Sequence, residues 1–454
     1  MSKNKDWSVI YGFLQRWIKF TFKKLYYREV VINNIDNIPD DSPIIFAPNH
    51  QNALMDPFCV ITSIKKQPFF LARQDFFKTK LLKKIFTVFK MLPVYRIRDG
   101  YGSLQKNEEI FKNCADILSR KNCLGIMPEG NHAPQKRLRP FGKGVVRVAF
   151  ASEKIHNNKL GLKVVPVGIN YKDVNKFRSR LLINFGKPIS VSDFHSIFLE
   201  NEQAGYKALN DKIREELIPQ MIHIETDEIH DLLLRLREFY NSRMQEKLNI
   251  KNDSYLSAFN ADKKMIEIFE TSYKLNPEIS DSLCQTTKIY SEGLTKLKLR
   301  DHILAKKPVS FFSLFFSFLF LLILLPFQIF GMINNYLPYK IPVYILNKKS
   351  IDSQFISSIS YGLSFILLFP LFYTIILLIV LLISGNILIA LAYLVVAAAT
   401  GLLAIHYWFL LKKFIARIKF KSLLNKKDSE ILDLLDKRKE IIQKTDEIID
   451  KQLK

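Results

Sequence analysis

Apolar runs of strand length alternate with helical patterns in the first part of the chain. The runs typical of buried strands lie at residues 28–35, 43–47, 123–127, 163–170 and 181–185. Apolar positions recur at helical spacing in residues 104–118 and 144–152. Strands that alternate with helices are typical of an α/β layer structure. We therefore predict an α/β domain over residues 31–195.

The second part of the chain has a different pattern. Residues 196–305 are charged, poor in proline and spaced like helices, which predicts a helical region. Residues 309–333 and 353–411 contain no Asp, Glu, Lys or Arg. Because a membrane span needs about 20 apolar residues, the first stretch holds one span and the second holds two. We predict transmembrane segments within residues 306–411, at about 309–333, 359–383 and 387–411.

Basic segments flank these apolar stretches on both sides. Lys and Arg residues precede the first stretch, and residues 412–454 form a basic tail with the pattern of an amphipathic helix or a short coiled coil. The positive-inside rule places both flanks in the cytosol. Three complete spans would instead place the two flanks on opposite sides of the membrane. A first segment that is broken at Pro326 and re-entrant, or that lies in the interface, would remove this conflict.

Residues 1–30 contain an aromatic-rich amphipathic pattern. Trp7, Ile10, Tyr11 and Trp17 recur at helical spacing, with Lys and Arg residues between them. This pattern is typical of helices that lie in the membrane interface and attract anionic lipid. An ordinary helix that packs on its own domain shows the same pattern. We expect an interfacial helix, and the sequence leaves the second interpretation open.

Net charge narrows the choice of partners. The chain has 67 Lys and Arg against 43 Asp and Glu, a formal net charge of +24. Such a charge suits nucleic acid or anionic lipid. Since the basic residues flank the apolar stretches, we expect membrane lipids as partners and no nucleic acid. The four cysteines form no C-x-x-C pair and no cluster has metal-ligand spacing, so we expect no metal and no cofactor. The oligomeric state stays open.

The most informative chemical pattern follows the strand at residues 43–47. Pro48-Asn49-His50 comes directly after it, and Asp56 lies six positions beyond His50. A histidine can take a proton near neutral pH, and an aspartate can hold the imidazole in one tautomer. No serine or cysteine nucleophile motif lies nearby, so we expect the pair to act directly on a substrate hydroxyl. Six helical residues turn by about 600°, so Asp56 reaches His50 only if the chain turns between them.

Further charged clusters follow downstream. Arg96 and Arg98 lie two positions apart on a strand-like run, and arginine pairs suit a phosphate. Glu129 and Gly130 follow the apolar run 123–127. A second group of cations comes next, formed by Lys136, Arg137, Arg139 and Lys143.

The order of these blocks resembles that of a known family. Asn-His…Asp, Pro-Val-Tyr-Arg, Pro-Glu-Gly and Val-Pro-Val-Gly, taken together, resemble the four blocks of the phospholipid/glycerol acyltransferase superfamily, which includes glycerol-3-phosphate and lysophosphatidate acyltransferases. The resemblance covers roughly residues 30–190. It implies a mixed sheet flanked by helices. It also implies transfer of a fatty acyl group from acyl-CoA or acyl carrier protein to a glycerol hydroxyl.

The resemblance also implies roles for the residues of the first two blocks. His50 would be the general base and Asp56 the residue that orients it. Arg96 would hold the phosphate of the acceptor, with Arg98 beside it.

The third and fourth blocks match less completely. Glu129 and Gly130 would help to form the acceptor site, and Pro166 would be structural. The family usually continues with Thr-Arg where this chain has Asn131-His132, so a cation is missing there. Another basic residue is then expected to bind substrate in its place, with Lys136, Arg137 and Lys143 as the candidates.

We expect a membrane-bound O-acyltransferase of phospholipid biosynthesis, acting on lysophosphatidate or glycerol 3-phosphate. Two alternatives remain: an inactive membrane scaffold with the same fold, and an acyltransferase for a non-phosphorylated lipid. The Lys-, Asn- and Ile-rich composition suggests a bacterial cytoplasmic membrane, with the catalytic domain in the cytosol.

Overall fold

The structure is a computed structural model, and it describes residues 7–77, 79–95, 103–133, 135–349 and 353–453. The chain forms two compact units. The first unit contains Met1–His223 together with Ile345–Ile366. The second contains Ile224–Tyr344 together with Leu367–Lys454. The short segment 345–366 thus belongs to the same unit as the first half of the chain, although it lies far away in sequence.

A mixed eight-stranded sheet forms the centre of the first unit as described. Its strands are β1 Glu29–Asn33, β2 Ile44–Pro48, β3 Phe69–Arg73, β4 Met91–Val94, β5 Cys123–Gly125, β6 Lys163–Tyr171, β7 Arg180–Phe185 and β8 Ile189–Ser190. The spatial order is β1-β7-β6-β2-β5-β3-β4, and β8 pairs with β6. The predicted α/β fold with a mixed sheet is therefore confirmed. Strands β3 and β8 were not predicted, because β8 has two residues and β3 lies in a short run without clear alternation.

The central strands point in the same direction. β2 lies between β5 and β6 and is parallel to both. β3 and β4 continue this parallel arrangement on the β5 side, while β7 and β8 pair antiparallel with β6. Since parallel strands all end at one edge, the residues after β2 and β5 emerge close together. All five residues of β2 are buried, which fixes the start of the loop that follows it.

Helices cover the sheet of the first unit. In chain order they are α1 Val9–Phe20, α2 Met55–Ser63, α3 Lys80–Val88, α4 Ser103–Ser119, α5 Gly144–Ile155, α6 His195–Glu200 and α7 Glu202–Leu217. Residues of α4, α5 and α7 form one apolar core with β2, β5 and β6. Helix α5 buries Val145, Val148 and Ala149 completely, so these side chains fix the helix against the sheet.

Helix α1 has one face on its own domain and another exposed. Tyr11, Gln15 and Ile18 are buried, and the Gln15 amide donates to the carbonyl of Ile61 at 2.9 Å. Phe13 on the opposite face is 64% exposed. The two interpretations of this helix are therefore compatible, because each describes a different face.

The second half of the chain is helical where described. Its helices are α8 His230–Phe239, α9 Asn241–Lys247, α10 Tyr255–Leu275, α11 Glu278–Lys296, α12 Asp301–Leu304, α13 Phe311–Lys348, α14 Ser353–Tyr361, α15 Phe369–Ser384, α16 Ile387–Asn425 and α17 Ser429–Leu453. A π-helical stretch, Gly362–Leu368, joins α14 to α15. Among the described residues, three segments are long and apolar enough to cross a membrane: Phe311–Lys348, Phe355–Ser384 and Ile387–Asn425.

The first of these segments is not broken at Pro326. Helix α13 continues through Pro326, and also through Pro338 and Pro342. Proline is tolerated inside apolar helices when neighbouring groups satisfy the freed carbonyls. Within the second unit, α13 approaches α16 closely: Asn335 donates to the carbonyl of Ala397 at 2.9 Å. The hypothesis that the first segment is broken at Pro326 is therefore wrong.

Candidate active site

Asn49 extends the pairing of β2 and β6 beyond the end of β2. Its backbone N–H donates to the carbonyl of Val167 at 3.2 Å. Its side chain then acts like a further peptide group, since Nδ2 donates to the Ile169 carbonyl at 3.1 Å and Oδ1 accepts from the Ile169 N–H at 2.6 Å. The residue before His50 is thus fixed on the sheet, and His50 is the first residue beyond its edge.

The chain turns sharply between His50 and Asp56. Residues 51–54 form bends and turns, and Ala53 has a φ of 36°. Asp56 then lies in the first turn of α2, where its Oδ2 is 2.7 Å from His50 Nδ1. The turn brings together two side chains that a regular helix would place on different faces.

Asp56 is completely buried and accepts several hydrogen bonds. The backbone N–H groups of Gln51 and Asn52 each donate to Oδ2 at 2.8 Å. The Tyr171 hydroxyl donates to Oδ1 at 2.6 Å. Burial raises the pKa of Tyr171 well above its usual value, and the nearby Asp56 raises it further, so the phenol stays a donor.

This hydrogen-bond network assigns the tautomer of His50. Two backbone N–H groups already point at Oδ2 of Asp56, so that atom is an acceptor toward His50 as well. The proton is accordingly assigned to Nδ1, and Nε2 is left with a lone pair. The His50 side chain is 15% exposed, which leaves the ring accessible at the edge of the sheet. This arrangement can remove a proton from a hydroxyl group.

Glu129 binds the backbone of the same loop. Its Oε1 accepts from the His50 N–H at 2.7 Å, and its Oε2 accepts from Arg139 Nε at 2.9 Å and from the Arg139 N–H at 3.2 Å. Burial raises the pKa of Glu129, while the His50 amide and Arg139 act in the opposite direction. One oxygen therefore holds the loop that carries His50, and the other holds Arg139.

Gly130 and His132 shape the loop that faces His50. Gly130 has a φ of 68° and its N–H donates to the Met127 carbonyl at 3.1 Å, which closes a tight turn. Glycine adopts this left-handed conformation without strain. Further along, Ala133 donates its N–H to the His50 carbonyl at 3.1 Å, and the His132 ring lies edge-on to the His50 ring with centroids 5.3 Å apart.

The predicted cations differ in their positions. Lys136 is buried, and its ammonium donates to the carbonyl of Tyr171 at 2.8 Å, so it supports the loop from inside. Lys143 precedes α5, is exposed, and donates to Gln203 Oε1 of α7. Arg96 and Arg98 lie outside the described residues. Of the predicted site residues, His50, Asp56, Glu129 and Gly130 thus come together, and Lys143 bonds elsewhere.

Sequence reasoning missed Tyr171 and the structural role of Arg139. Tyr171 ends β6, the neighbour of β2, but it lies 115 positions beyond Asp56. Its position on a long strand next to the loop was the available signal. Among the described residues, no group of three or more His, Cys, Asp or Glu could hold a metal ion.

A family model for acyltransferases matches residues 29–170. This segment is an acyltransferase domain. It contains β1 to β5 and all of β6 except Tyr171, together with His50, Asp56 and Glu129.

Curated relatives of the domain come from yeast. The chain is 27% identical over 209 residues to glycerol-3-phosphate O-acyltransferase 1 of Saccharomyces cerevisiae, covering 44% of this chain and 26% of the relative. It is 33% identical over 118 residues to glycerol-3-phosphate O-acyltransferase 2 of the same organism, covering 25% of this chain and 16% of the relative. The matches thus span about a quarter or less of the length of these relatives.

A solved structure of the 1-acyl-sn-glycerophosphate acyltransferase from Thermotoga maritima also matches. Its TM-score is 0.31 at 16% identity, and the match covers 46% of this chain and 77% of that chain.

Proposed function

We propose that the chain is a membrane-bound O-acyltransferase that moves a fatty acyl group from a thioester to a hydroxyl of glycerol 3-phosphate. The observation that carries this proposal is the contact of His50 Nδ1 with the buried Asp56, directly beyond the end of β2 in an acyltransferase domain. The names of the two yeast relatives favour glycerol 3-phosphate as the acceptor. Acyl-CoA and acyl carrier protein are the candidate donors, and lysophosphatidate is the second candidate acceptor.

The proposed mechanism needs a base. His50 Nε2 takes the proton of the acceptor hydroxyl as its oxygen attacks the thioester carbonyl carbon. Asp56 stabilises the imidazolium that forms. The tetrahedral intermediate collapses, the carbon–sulfur bond breaks, and the proton passes from Nε2 to the departing thiolate. A thioester is already activated, so orientation and removal of one proton supply much of the required catalysis.

The acceptor phosphate needs a cation. Lys136 and Arg139 already bind the carbonyl of Tyr171 and the carboxylate of Glu129. We therefore do not propose Lys136 or Arg139 as the main ligand of the acceptor phosphate. Arg96 and Arg98 keep this role as a prediction from the sequence.

Transfer assays with purified protein test the proposal. The protein is reconstituted in vesicles that contain anionic lipid and is offered radiolabelled acyl-CoA or acyl carrier protein with glycerol 3-phosphate, lysophosphatidate or a non-phosphorylated acceptor. We expect labelled lipid with glycerol 3-phosphate, and loss of about 10²–10⁴-fold in His50→Ala. His156→Ala, at the end of α5, is the matched control and should transfer normally. Equal rates for the two variants, or no transfer with any acceptor, would contradict the proposal and favour a scaffold.

We further propose that the segments before the first candidate span and after the last lie on the same, cytosolic side of the membrane. Within the second unit, Arg438 of α17 binds Asp301 at 2.8 Å, and Arg243 of α9 binds Asp446 of α17 at 2.7 Å. Lys419 donates to the Leu297 carbonyl at 2.8 Å. Segments that fold together in this way need an even number of complete crossings between them.

Epitope tags at residue 250 and at the C-terminus test this orientation. In sealed vesicles of one orientation, protease should reach both tags or neither. Access to one tag alone would contradict the proposal. With this orientation, we propose that the exposed face of α1, which includes Phe13 and Phe20, lies in the lipid interface on the cytosolic side.

A further inference from the structure

The segment that leads into the second candidate span is part of the catalytic unit. Residues 345–366 belong to the first compact unit, with the sheet and the loop that carries His50. Helix α14 lies in this segment, and the candidate span Phe355–Ser384 begins within α14. The proposed active site thus has neighbours that are about 300 positions away in sequence.

Ser357 of α14 binds the catalytic loop directly. Its hydroxyl donates to Asn52 Oδ1 at 2.7 Å, and both residues are buried. The orientation of the Asn52 amide is determined independently, because Nδ2 donates to the carbonyl of Val174 at 2.9 Å. The oxygen of the amide therefore faces Ser357.

Asn52 connects this hydroxyl to the catalytic pair. Its backbone N–H donates to Asp56 Oδ2, the same atom that binds His50 Nδ1. Its backbone carbonyl accepts from the N–H of Met55 at 2.8 Å, which closes the turn before α2. All four polar groups of Asn52 are thus used, and three of them determine the shape of the loop.

The neighbouring serine shows that this contact is specific to one position. Ser358 is also buried, but its hydroxyl donates to the carbonyl of Phe355 in its own helix at 3.1 Å. A helical serine ordinarily bonds in that local way. Ser357 instead bonds outward, to the loop.

Other contacts fix α14 and the π-helical stretch that follows it against the domain. The Tyr361 hydroxyl lies 2.7 Å from Thr21 Oγ1, and Trp17 Nε1 donates to the Phe365 carbonyl at 3.0 Å. At the other end, the Phe355 ring lies edge-on to His132, with centroids 4.6 Å apart, and His132 in turn lies against His50. A helix held in this way can fix the position of the loop that it contacts.

We propose that Ser357 is a positioning residue for the catalytic loop, because its hydrogen bond to Asn52 Oδ1 fixes the turn that brings Asp56 to His50. This inference rests on the proposed acyl transfer for its kinetic consequence. Loss of the hydroxyl leaves the Asn52 oxygen buried without this donor, and the loop relaxes to find another. The substrates bind as before, but fewer turnovers start from the productive geometry.

Kinetic measurements on the full-length protein in vesicles test the proposal. We expect Ser357→Ala to lower kcat by about 10- to 100-fold, which is the cost of a displacement of about 1 Å. KM for both substrates should change by less than about twofold. Ser357→Thr keeps the hydroxyl and should restore most of kcat. Ser358→Ala is the matched control and should keep the wild-type kcat.

A double mutant tests whether Ser357 acts through Asn52. We expect Asn52→Ala combined with Ser357→Ala to be no slower than Asn52→Ala alone. The inference would be overturned if the double mutant lost kcat by the product of the two single losses. It would also be overturned if Ser357→Ala and Ser358→Ala had the same kcat. If His50→Ala is inactive in the same series, the proposed function stands whatever Ser357 shows.

Amide hydrogen exchange provides a readout that does not depend on activity. Peptides that contain Gln51 and Asn52 should exchange faster in Ser357→Ala than in wild type, and at the wild-type rate in Ser358→Ala. Unchanged exchange in Ser357→Ala would overturn the inference even if the protein transferred no acyl group.

Discussion

Replacing Asp56 by Asn removes one charge from the proposed site and leaves its hydrogen bonds possible. The backbone N–H groups of Gln51 and Asn52 point at the Oδ2 position, so the amide must place its oxygen there. Nδ2 then faces the Tyr171 hydroxyl, whose oxygen can accept a hydrogen bond. The Tyr171 proton can turn toward Cys59 Sγ, which lies 3.4 Å away.

His50 keeps its tautomer in this variant. An amide oxygen at the Oδ2 position still accepts from His50 Nδ1, so Nε2 stays free to take a proton. The effect of Asp56→Asn is therefore confined to the charge. A hydrogen bond to a charged group contributes about 1.5–3 kcal/mol and a neutral one about 0.5–1.5 kcal/mol. The midpoints of these two ranges differ by about 1.2 kcal/mol, which corresponds to a roughly tenfold lower kcat.

Asp56→Ala gives the contrasting result. It removes the acceptor of two backbone N–H groups, the Tyr171 hydroxyl and His50 Nδ1 at a completely buried position. Each unsatisfied donor costs about 1–3 kcal/mol. We expect this variant to be strongly destabilised, and Asp56→Asn to unfold close to the wild-type temperature.

The assay combines steady-state acyl transfer with thermal unfolding of both variants. Asp56→Asn should be about tenfold slower than wild type and much faster than His50→Ala. The Asp56→Asn and Tyr171→Phe substitutions should also be coupled, because the new amide loses its partner when the phenol is removed. An Asp56→Asn variant that is as inactive as His50→Ala, at an unchanged unfolding temperature, would refute the tautomer assignment.

Three further predictions concern residues around the loop. Tyr171→Phe should lower the free energy of unfolding by about 1–3 kcal/mol, as chemical denaturation would show. Tyr27→Phe is the control and should not, since the buried Tyr27 hydroxyl has no hydrogen-bond partner among the residues that the structure describes. Burial raises the pKa of Glu129, so the folded protein binds the carboxyl proton more tightly than the unfolded chain does. As pH rises from about 4.5 through the folded pKa, the free energy of unfolding of wild type should therefore fall relative to that of Glu129→Gln. A difference between the two proteins that does not change with pH would contradict this prediction. Gly130→Ala should cost about 1–2 kcal/mol through its positive φ, since no atom of the described residues lies within 4 Å of the new methyl group. Gly142→Ala is the control and should cost less when thermal unfolding of the two variants is compared.

The sequence predicts the elements that carry the site better than the contacts that hold it together. The apolar runs of β2, β5 and β6 are recognisable because these strands are buried in the middle of the sheet. Parallel pairing then places the residues that follow β2 and β5 at one edge, so a common site for His50 and Glu129 could be expected. The turn at Ala53 could not, because its positive φ is set by donors that converge on Asp56.

The contacts that the sequence could not predict join residues that lie far apart along the chain. Residue spacing determines which side chains share a face of one helix or strand, but it does not determine which elements meet. Tyr171 and Ser357 lie 115 and 305 positions after the residues that they bind. Each is an ordinary residue of a buried strand or an apolar helix in the sequence.

Glu129 illustrates how a motif residue can have a different role from the one its chemistry suggests. A carboxylate after a strand, beside several cations, suggests contact with substrate. Here one oxygen holds the His50 amide, and the other holds Arg139 through two bonds. The Glu129 side chain is 3% exposed, so these protein bonds leave little of the carboxylate accessible to substrate. We therefore expect Glu129 to act on the acceptor indirectly, through the position of His50.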